Sequence, residues 1–371
     1  MNIKIGIDAM GLRHNPSGIG HYTHRLLEPL CRAHPDAKFV LYSNDDIVFP
    51  VYDNVVCRVS RPKRKAPLWQ NTQLRRQLVE DKVDVFWGAN GLLPLGLSKH
   101  LAKVLTVHDF AYHFAPGTQS LSDRFGRRIF QGVSIRIADR VLAVSMATAA
   151  DLVMLSGRSA DLIIPPPVGP QFARLGSAEQ AFIRAQFNLP ERFMLLVSTL
   201  EPRKNIEYFV RAYLDRRSAG CALPDLVVVG AQGWLNAGIE RMLEQGTHAG
   251  AIHRLGYVSD GDLRALYAAC ESFCMPSIYE GFGMPLLEAQ RCGVPVLHGD
   301  HPSMSEASGG LGVTSGTSFS ALCDLLTRYA RGECPLICRL PQDFPPSAEY
   351  WSALLWDTLI AAWRDKTPRK P

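Results

Sequence analysis

Eleven short apolar runs, separated by stretches whose apolar residues follow helical spacing, recur between residues 3 and 298 of the 371-residue chain. Six lie at 3–8, 39–42, 55–59, 83–87, 103–107 and 140–144, and five at 193–198, 226–229, 252–255, 272–275 and 294–298. Helical patterns fall between them, at 21–33 and 123–138 in the first half and at 207–217, 238–244, 262–269 and 285–292 in the second. Strands that alternate with helices pair through crossover connections, so the pattern predicts parallel sheets covered by helices. One core rarely serves a chain of this length. The segment IIPPPVGPQF at 163–172, with four prolines and a glycine, has linker chemistry. Two doubly wound α/β domains are therefore expected, over 1–165 and 166–349, with 350–371, apolar over 350–363, forming a last helix after a proline-rich segment.

Composition narrows the class. Apolar residues make up 47% and charged residues 20%, the balance of an ordinary globular protein. No apolar run approaches the roughly 18 residues of a membrane span, and the first eight residues alternate as a strand rather than a leader. A cytoplasmic chain without a membrane span is the expectation. The nine cysteines are scattered without C-x-x-C or metal-like spacing, and Cys270 and Cys274 stand in apolar contexts, so reduced, buried thiols are expected.

Chemistry concentrates in SIYEGFGMPLLEAQRCGVPV at 277–296. Gly281 and Gly283 permit a turn that a Cβ would forbid, and Pro285 suits a first helical position, so a helix should begin near Met284. Its unpaired amides and positive dipole end form an anion site. Glu280 lies before that end and Glu288 one turn inside. A carboxylate repels phosphate but accepts hydrogen bonds from hydroxyls, so the stretch implies a polyhydroxylated ligand carrying phosphate held by amides and by cations from elsewhere.

The E-x7-E spacing of Glu280 and Glu288 within YEGFGMPLLEA resembles the signature of retaining glycosyltransferases of family 4. That resemblance implies a GT-B fold, two Rossmann-like domains facing across a cleft, with an N-terminal acceptor domain, a C-terminal nucleotide-sugar domain and a last helix that crosses back. It implies that Glu288 binds the nucleotide ribose, that Glu280 meets the donor-sugar hydroxyls, and that Gly281, Phe282, Gly283 and Met284 border the donor. The loops after other strands extend the likeness. Gly18-Ile19-Gly20 resembles the family's N-terminal glycine loop. TVHD matches its HD segment, which carries to His108 a contact with the reacting sugar; His108, Asp109 and His113 otherwise allow a metal reading. EPRKN, with Arg203 and Lys204, matches the clamp on the departing diphosphate, and a planar fork beside a point charge suits that ligand. Asn205 is expected to cap the following helix. Tyr257 and Val258 fall where the family places the nucleotide base. Glu306 resembles a further family glutamate, although Met304-Ser305 replaces the usual Leu-Pro before it. Asp260-Gly261-Asp262 spells a D-x-D, but Ser259 or Asp260 as a helix cap explains it without metal.

The resemblance thus implies a retaining, metal-independent transferase without a cofactor. GDP-mannose is the favoured donor and a glycan or lipid-linked oligosaccharide of bacterial surface polysaccharide assembly the acceptor, with other hexoses and deoxyhexoses as alternatives. Charge adds one partner. Residues 1–165 carry 21 Lys and Arg against 14 Asp and Glu, and seven cations without an acid fall at 58–76 beside Leu68 and Trp69. This run is either a solvated face or a contact with an anionic membrane, worth about 1 kcal/mol per cation near the surface; no nucleic-acid recognition module appears. A nicotinamide-dependent dehydrogenase would need G-x-G-x-x-G directly after the first strand, where the glycines here come late. A non-catalytic sugar-binding protein is the other rival.

Overall fold

The computed structural model describes residues 3–61, 66–115, 117, 121–198, 201–230, 237–338, 344 and 346–367. The chain divides into two compact units, one of Met1–His113, Leu121–Val168 and Pro345–Pro371 and the other of Phe114–Ser120 and Gly169–Phe344.

The first unit holds seven strands: β1 (Lys4–Asp8), β2 (Lys38–Ser43), β3 (Val55–Val59), β4 (Val85–Gly88), β5 (Ala102–Val107), β6 (Arg140–Ala143) and β7 (Leu162–Ile163). They pair in parallel in the order β3-β2-β1-β4-β5-β6-β7. Ile5, Ile7, Phe86, Trp87, Val104 and Leu105 are buried whichever face they point to, as a sheet covered on both sides requires. The second unit contains β8 (Phe193–Val197), β9 (Asp225–Val229), β10 (Ile252–Gly256), β11 (Ser272–Met275), β12 (Val296–Gly299) and β13 (Val313–Ser315), parallel in the order β10-β9-β8-β11-β12-β13. Its core gathers Met194, Leu196, Phe209, Tyr213, Leu226 and Cys274 with the underside of the Phe319–Ala330 helix. In each sheet the order reverses once, between β1 and β4 and between β8 and β11. At such a reversal the loops leave in opposite directions and open a crevice beyond the strands' carboxyl ends.

The fold is the doubly wound pair that the alternation predicts. The Ala348–Lys366 helix belongs to the first unit: it packs on the Gly18–Ala33 helix and under β4 and β5. His34 stacks on Trp356 with ring centroids 3.6 Å apart, Ser352 Oγ donates to the Leu26 carbonyl, and Lys366 pairs with Asp139 at 2.8 Å. Helices at Met146–Ser156, Ser177–Gln186 and Phe319–Ala330 are additions that the pattern above does not contain. In the first of these, MATAADLVMLS, small and apolar residues run around the helix and leave little contrast between faces.

Two expectations are corrected. Trp69 does not stand beside the 58–76 cations as an exposed apolar partner: it is fully buried and donates its indole N–H to Ser60 Oγ at 2.9 Å. The run is also less cationic in space than in sequence. Arg58 meets Asp81 at 2.9 Å, Arg61 meets Asp46 at 2.6 Å and Arg76 meets Glu80 at 2.6 Å, each acid lying outside the run. Lys63, Arg64 and Lys65 lie outside the described residues. Asn205, expected as a helix cap, instead adopts a left-handed backbone (φ 56°) without a side-chain capping bond and donates Nδ2 to the Thr317 carbonyl at 2.8 Å. The nine cysteines are unpaired, with Cys270 and Cys274 buried.

Candidate active-site residues of each unit

In the second unit the site grows from the loops that follow β8 and β11. After β8 the chain turns through the short 3₁₀ segment Pro202–Lys204, which brings two cations together before the left-handed Asn205 starts the Ile206–Ser218 helix. After β11 the chain runs through Tyr279 and Glu280 to Gly283, whose φ of 110° is denied to most residues with a Cβ, and the Met284–Arg291 helix begins with Pro285 in its first turn. The two loops are tied by backbone, Ile278 N–H to the Arg203 carbonyl at 2.9 Å, and by side chain, Arg203 Nη1 to the Tyr279 carbonyl at 3.0 Å.

Between them Glu280 is almost wholly removed from water. Arg203 Nη1 donates to Oε2 at 2.6 Å and Lys204 Nζ to Oε1 at 2.7 Å, while Arg203 Nη2 also meets Glu201 at 3.4 Å. Burial alone would push the Glu280 carboxyl up. The charges of Lys204 and Arg203 outweigh it and hold the group at about 2. The carboxylate is therefore fixed in its charged form, and it fixes two long, otherwise mobile cations. Ser303, in the HPSMSE stretch that departs from the family pattern, donates its hydroxyl to the Glu280 carbonyl at 2.8 Å and ties the Pro302–Ala307 helix to the turn. Only its fold neighbours reveal that contact, since serine between proline and methionine carries no motif. Glu306 lies on the same helix.

Glu288 is buried on the Met284–Arg291 helix, and its charge adds to burial in raising the Tyr267 phenol. Phe282 is buried, Gly281 and Met284 are half-buried, and Tyr257 and Val258 follow β10, with Tyr257 61% exposed. The D-x-D is a helix start: Ser259 Oγ accepts from Asp262 N–H at 3.1 Å and Asp260 and Asp262 fill the first turn. Among the described residues no group of three or more His, Cys, Asp or Glu could hold a metal ion.

In the first unit Gly18 opens the Gly18–Ala33 helix, and Gly20 packs so closely on Gly11 that a Cβ would lie 2.2 Å from its carbonyl oxygen. His108 follows β5. Its Nε2 lies 2.6 Å from the Ala89 carbonyl, which can only accept, so the ring is protonated there. Tyr22 meets the ring edge-on at 5.1 Å. Burial, opposed by the Ala89 carbonyl and the charge of Asp109, holds the imidazole below its ordinary value and keeps it neutral near pH 7, with Nδ1 as an acceptor. Asp109 Oδ1 accepts from Ala111 N–H at 3.0 Å, as a turn cap does.

Two family models cover most of this architecture. Glycosyltransferase Family 4 matches residues 16–171, and Glycosyl transferases group 1 matches residues 178–309. The chain belongs to the GT4-type glycosyltransferases. The O-antigen chain mannosyltransferase B of Escherichia coli is 32% identical over 263 residues, 70% of this chain and 65% of that protein. The GDP-mannose-dependent alpha-(1-6)-phosphatidylinositol monomannoside mannosyltransferase of Mycobacterium tuberculosis is 29% identical over 62% of this chain and 61% of its own length. The chain therefore spans less than two thirds of either relative. In fold, this GT4-type chain matches Anabaena Alr3699/HepE in complex with UDP and glucose at a TM-score of 0.70 and 17% identity, over 96% of this chain and 99% of that one. WaaG, a glycosyltransferase involved in lipopolysaccharide biosynthesis, matches at 0.70 and 17%, over 99% and 100%. The fold is GT-B.

The Glu280 cluster carries a pH signature. A carboxyl lowered from 4.5 to about 2 stabilises the fold fully above about pH 4.5 and loses that contribution as pH falls toward 2. Replacing it leaves two cations beside a buried neutral group, a loss of about 3–5 kcal/mol for breaking a buried pair. Glu280→Gln should therefore unfold at lower urea than the parent at about pH 7, with the gap narrowing by about pH 3. Parallel urea titrations at both pH values check it, and a gap independent of pH would contradict the ion-pair assignment.

Proposed function

We propose that the protein is a retaining, metal-independent glycosyltransferase that moves mannose from GDP-mannose to a glycan or lipid-linked acceptor in bacterial polysaccharide assembly. The observation that carries this reading is the Arg203–Lys204–Glu280 cluster, built where the second sheet reverses and beside the start of the Met284–Arg291 helix. A sugar diphosphate leaves as an anion. Two cations already held in place by a buried carboxylate stabilise that charge without reorganising at the moment of reaction, commonly the largest catalytic contribution. In this reading Arg203 and Lys204 clamp the diphosphate, aided by the helix-start amides near Gly281, Phe282, Gly283 and Met284. Glu280 orients the clamp and retains lone pairs for the donor-sugar hydroxyls. Glu288 takes the ribose hydroxyls, and Tyr257 and Val258 border the base. Gly18 and Gly20 let the first unit's helix start approach the donor. His108, neutral and with Nδ1 as an acceptor, receives a sugar hydroxyl rather than shuttling a proton.

The donor choice follows the two mannosyltransferase relatives, one of them GDP-mannose-dependent by name. A UDP-hexose is the second reading, favoured by the UDP and glucose bound in a protein of the same fold. Thermal shift separates the two, since ligand at 100 times Kd stabilises by about 2.7 kcal/mol. GDP and GDP-mannose should raise the melting temperature more than UDP and UDP-glucose, and the reverse order would replace the donor. Glu288→Ala should weaken binding of the preferred nucleotide by about 1.5–3 kcal/mol in calorimetry, and unchanged affinity would remove the ribose role. Excess chelator should leave turnover intact.

The roles proposed for the two carboxylates support retention. Retaining hydrolases place a nucleophilic carboxyl about 5–5.5 Å from its partner; here Glu280 is engaged by two cations, which suits attack by the acceptor on the face that the diphosphate leaves. Proton NMR of the product should show the donor's anomeric configuration, whereas an inverted signal or a sugar adduct trapped on Glu280 would overturn the mechanism.

An anionic membrane surface is proposed as a further partner, on the excess of 21 cations over 14 acids in residues 1–165. No helix among the described residues is long and apolar enough to cross a membrane. Attraction of this kind is screened beyond about 8 Å at physiological salt. Flotation with anionic liposomes should fall as salt rises, and equal recovery on neutral liposomes would end the proposal.

A further inference from the structure

A further buried carboxylate lies at the first unit's sheet reversal, and the proposed chemistry does not use it. Asp8 closes β1, is 0% exposed, and stands where β1 and β4 diverge. Three donors converge on it from three segments. Met10 N–H donates to Oδ1 at 3.2 Å from the loop leading to the Gly18–Ala33 helix. Asn90 Nδ2 donates to Oδ1 at 2.7 Å, and to the Asp8 carbonyl at 3.0 Å, from the loop after β4. Gln70 Nε2 donates to Oδ2 at 2.9 Å from the π-helical turn Gln70–Leu74. A π turn is a costly departure from regular helix that recurs at functional sites. Here it lies in the segment that delivers an amide to Asp8.

Burying a carboxylate costs free energy that a bare structural link does not require, and neutral amides replace water only in part. Burial indeed lifts Asp8 from 3.8 to about 6, against the bonds from Met10, Gln70 and Asn90, so the group is mostly ionised near pH 7. The residue next to Asn90 is Ala89, whose carbonyl accepts from His108 Nε2–H at 2.6 Å. Asp8 thus grips the side chain adjacent to the one carbonyl that fixes the His108 tautomer. With Tyr22 packed edge-on against it, the imidazole is anchored to this loop through the Ala89 carbonyl.

We propose that Asp8 is a positioning residue for glycosyl transfer, acting through Asn90 and the Ala89 carbonyl to hold His108 in the orientation and tautomer that present Nδ1 to the donor sugar. This rests on the reading of His108 given above. The carboxylate is needed because all three partners are donors; an amide in its place would aim an N–H at one of them.

The test is a double-mutant cycle on the full chain with GDP-mannose as the probe, turnover being read as GDP released, and with UDP-glucose instead if thermal shift prefers it. Asp8→Asn should lower kcat by about 10- to 100-fold, the scale of a small misplacement at a reacting centre, with donor KM changed by less than about threefold. Asn90→Ala should do the same, and it carries the test if Asp8→Asn fails to fold. In a His108→Ala background both substitutions should have almost no further effect, because the group they orient is gone. Full additivity, or a rise in KM with kcat unchanged, would overturn the positioning role even where His108→Ala is strongly impaired. Unimpaired turnover of His108→Ala would overturn the His108 reading itself, and this proposal with it. A merely structural role predicts equal losses in both backgrounds, which the cycle distinguishes.

Discussion

A carboxylate almost shut off from water between two cations is the interaction on which the second unit's site depends. Glu280, Arg203 and Lys204 come from loops 76 residues apart, the two cations lying on the short 3₁₀ turn Pro202–Lys204. A lone charge so placed would neutralise itself or draw in water. Paired, it pins the turn that carries Gly283 into the Met284–Arg291 helix, and that helix sets where Glu288 stands. The cluster thereby orders cations that on a surface would wander.

Sheet topology explains why two such carboxylates exist. Each unit is doubly wound, and each has one reversal, β1 against β4 and β8 against β11. Loops diverge at these points and leave polar backbone that helices cannot cover. Asp8 answers the need in the first unit with amide donors, and Glu280 answers it in the second with charged ones. The consequence is opposite electrostatics, a carboxyl raised to about 6 in one and lowered to about 2 in the other. Family membership fits both. The GT-B fold sets two Rossmann-like units in one chain; one relative is GDP-mannose-dependent by name, and a protein of the same fold is solved with UDP and glucose.

Much of this was legible before any coordinates. Alternating apolar runs dictate parallel sheets because a strand buried on both faces must be apolar throughout, and the proline-rich 163–172 marks the passage between units. Glycines and Pro285 at 281–285 dictate a turn into a helix, since backbone freedom and a missing N–H are local properties. The likeness to family 4 came from the same local words, EPRKN, HD and E-x7-E, and the family models agree with it.

What tertiary structure alone decided is who meets whom. Arg203 and Lys204 looked like cations awaiting a phosphate, and Glu280 like an acceptor of hydroxyls; that they neutralise one another depends on β8 and β11 being neighbours, which no local pattern encodes. Trp69 read as the apolar companion of a basic surface, but its indole is consumed by Ser60 in the interior. Asn205 read as a cap and instead bridges to Thr317. Asp8, Gln70 and Asn90 carried no signal in sequence, being separated by 62 and 82 residues from first to second and first to third. Local chemistry fixes which backbone conformations a segment can adopt, so sequence determined the elements and their turns; Coulomb and hydrogen-bond partners depend on distance through space, so only the fold determined the charges each site keeps.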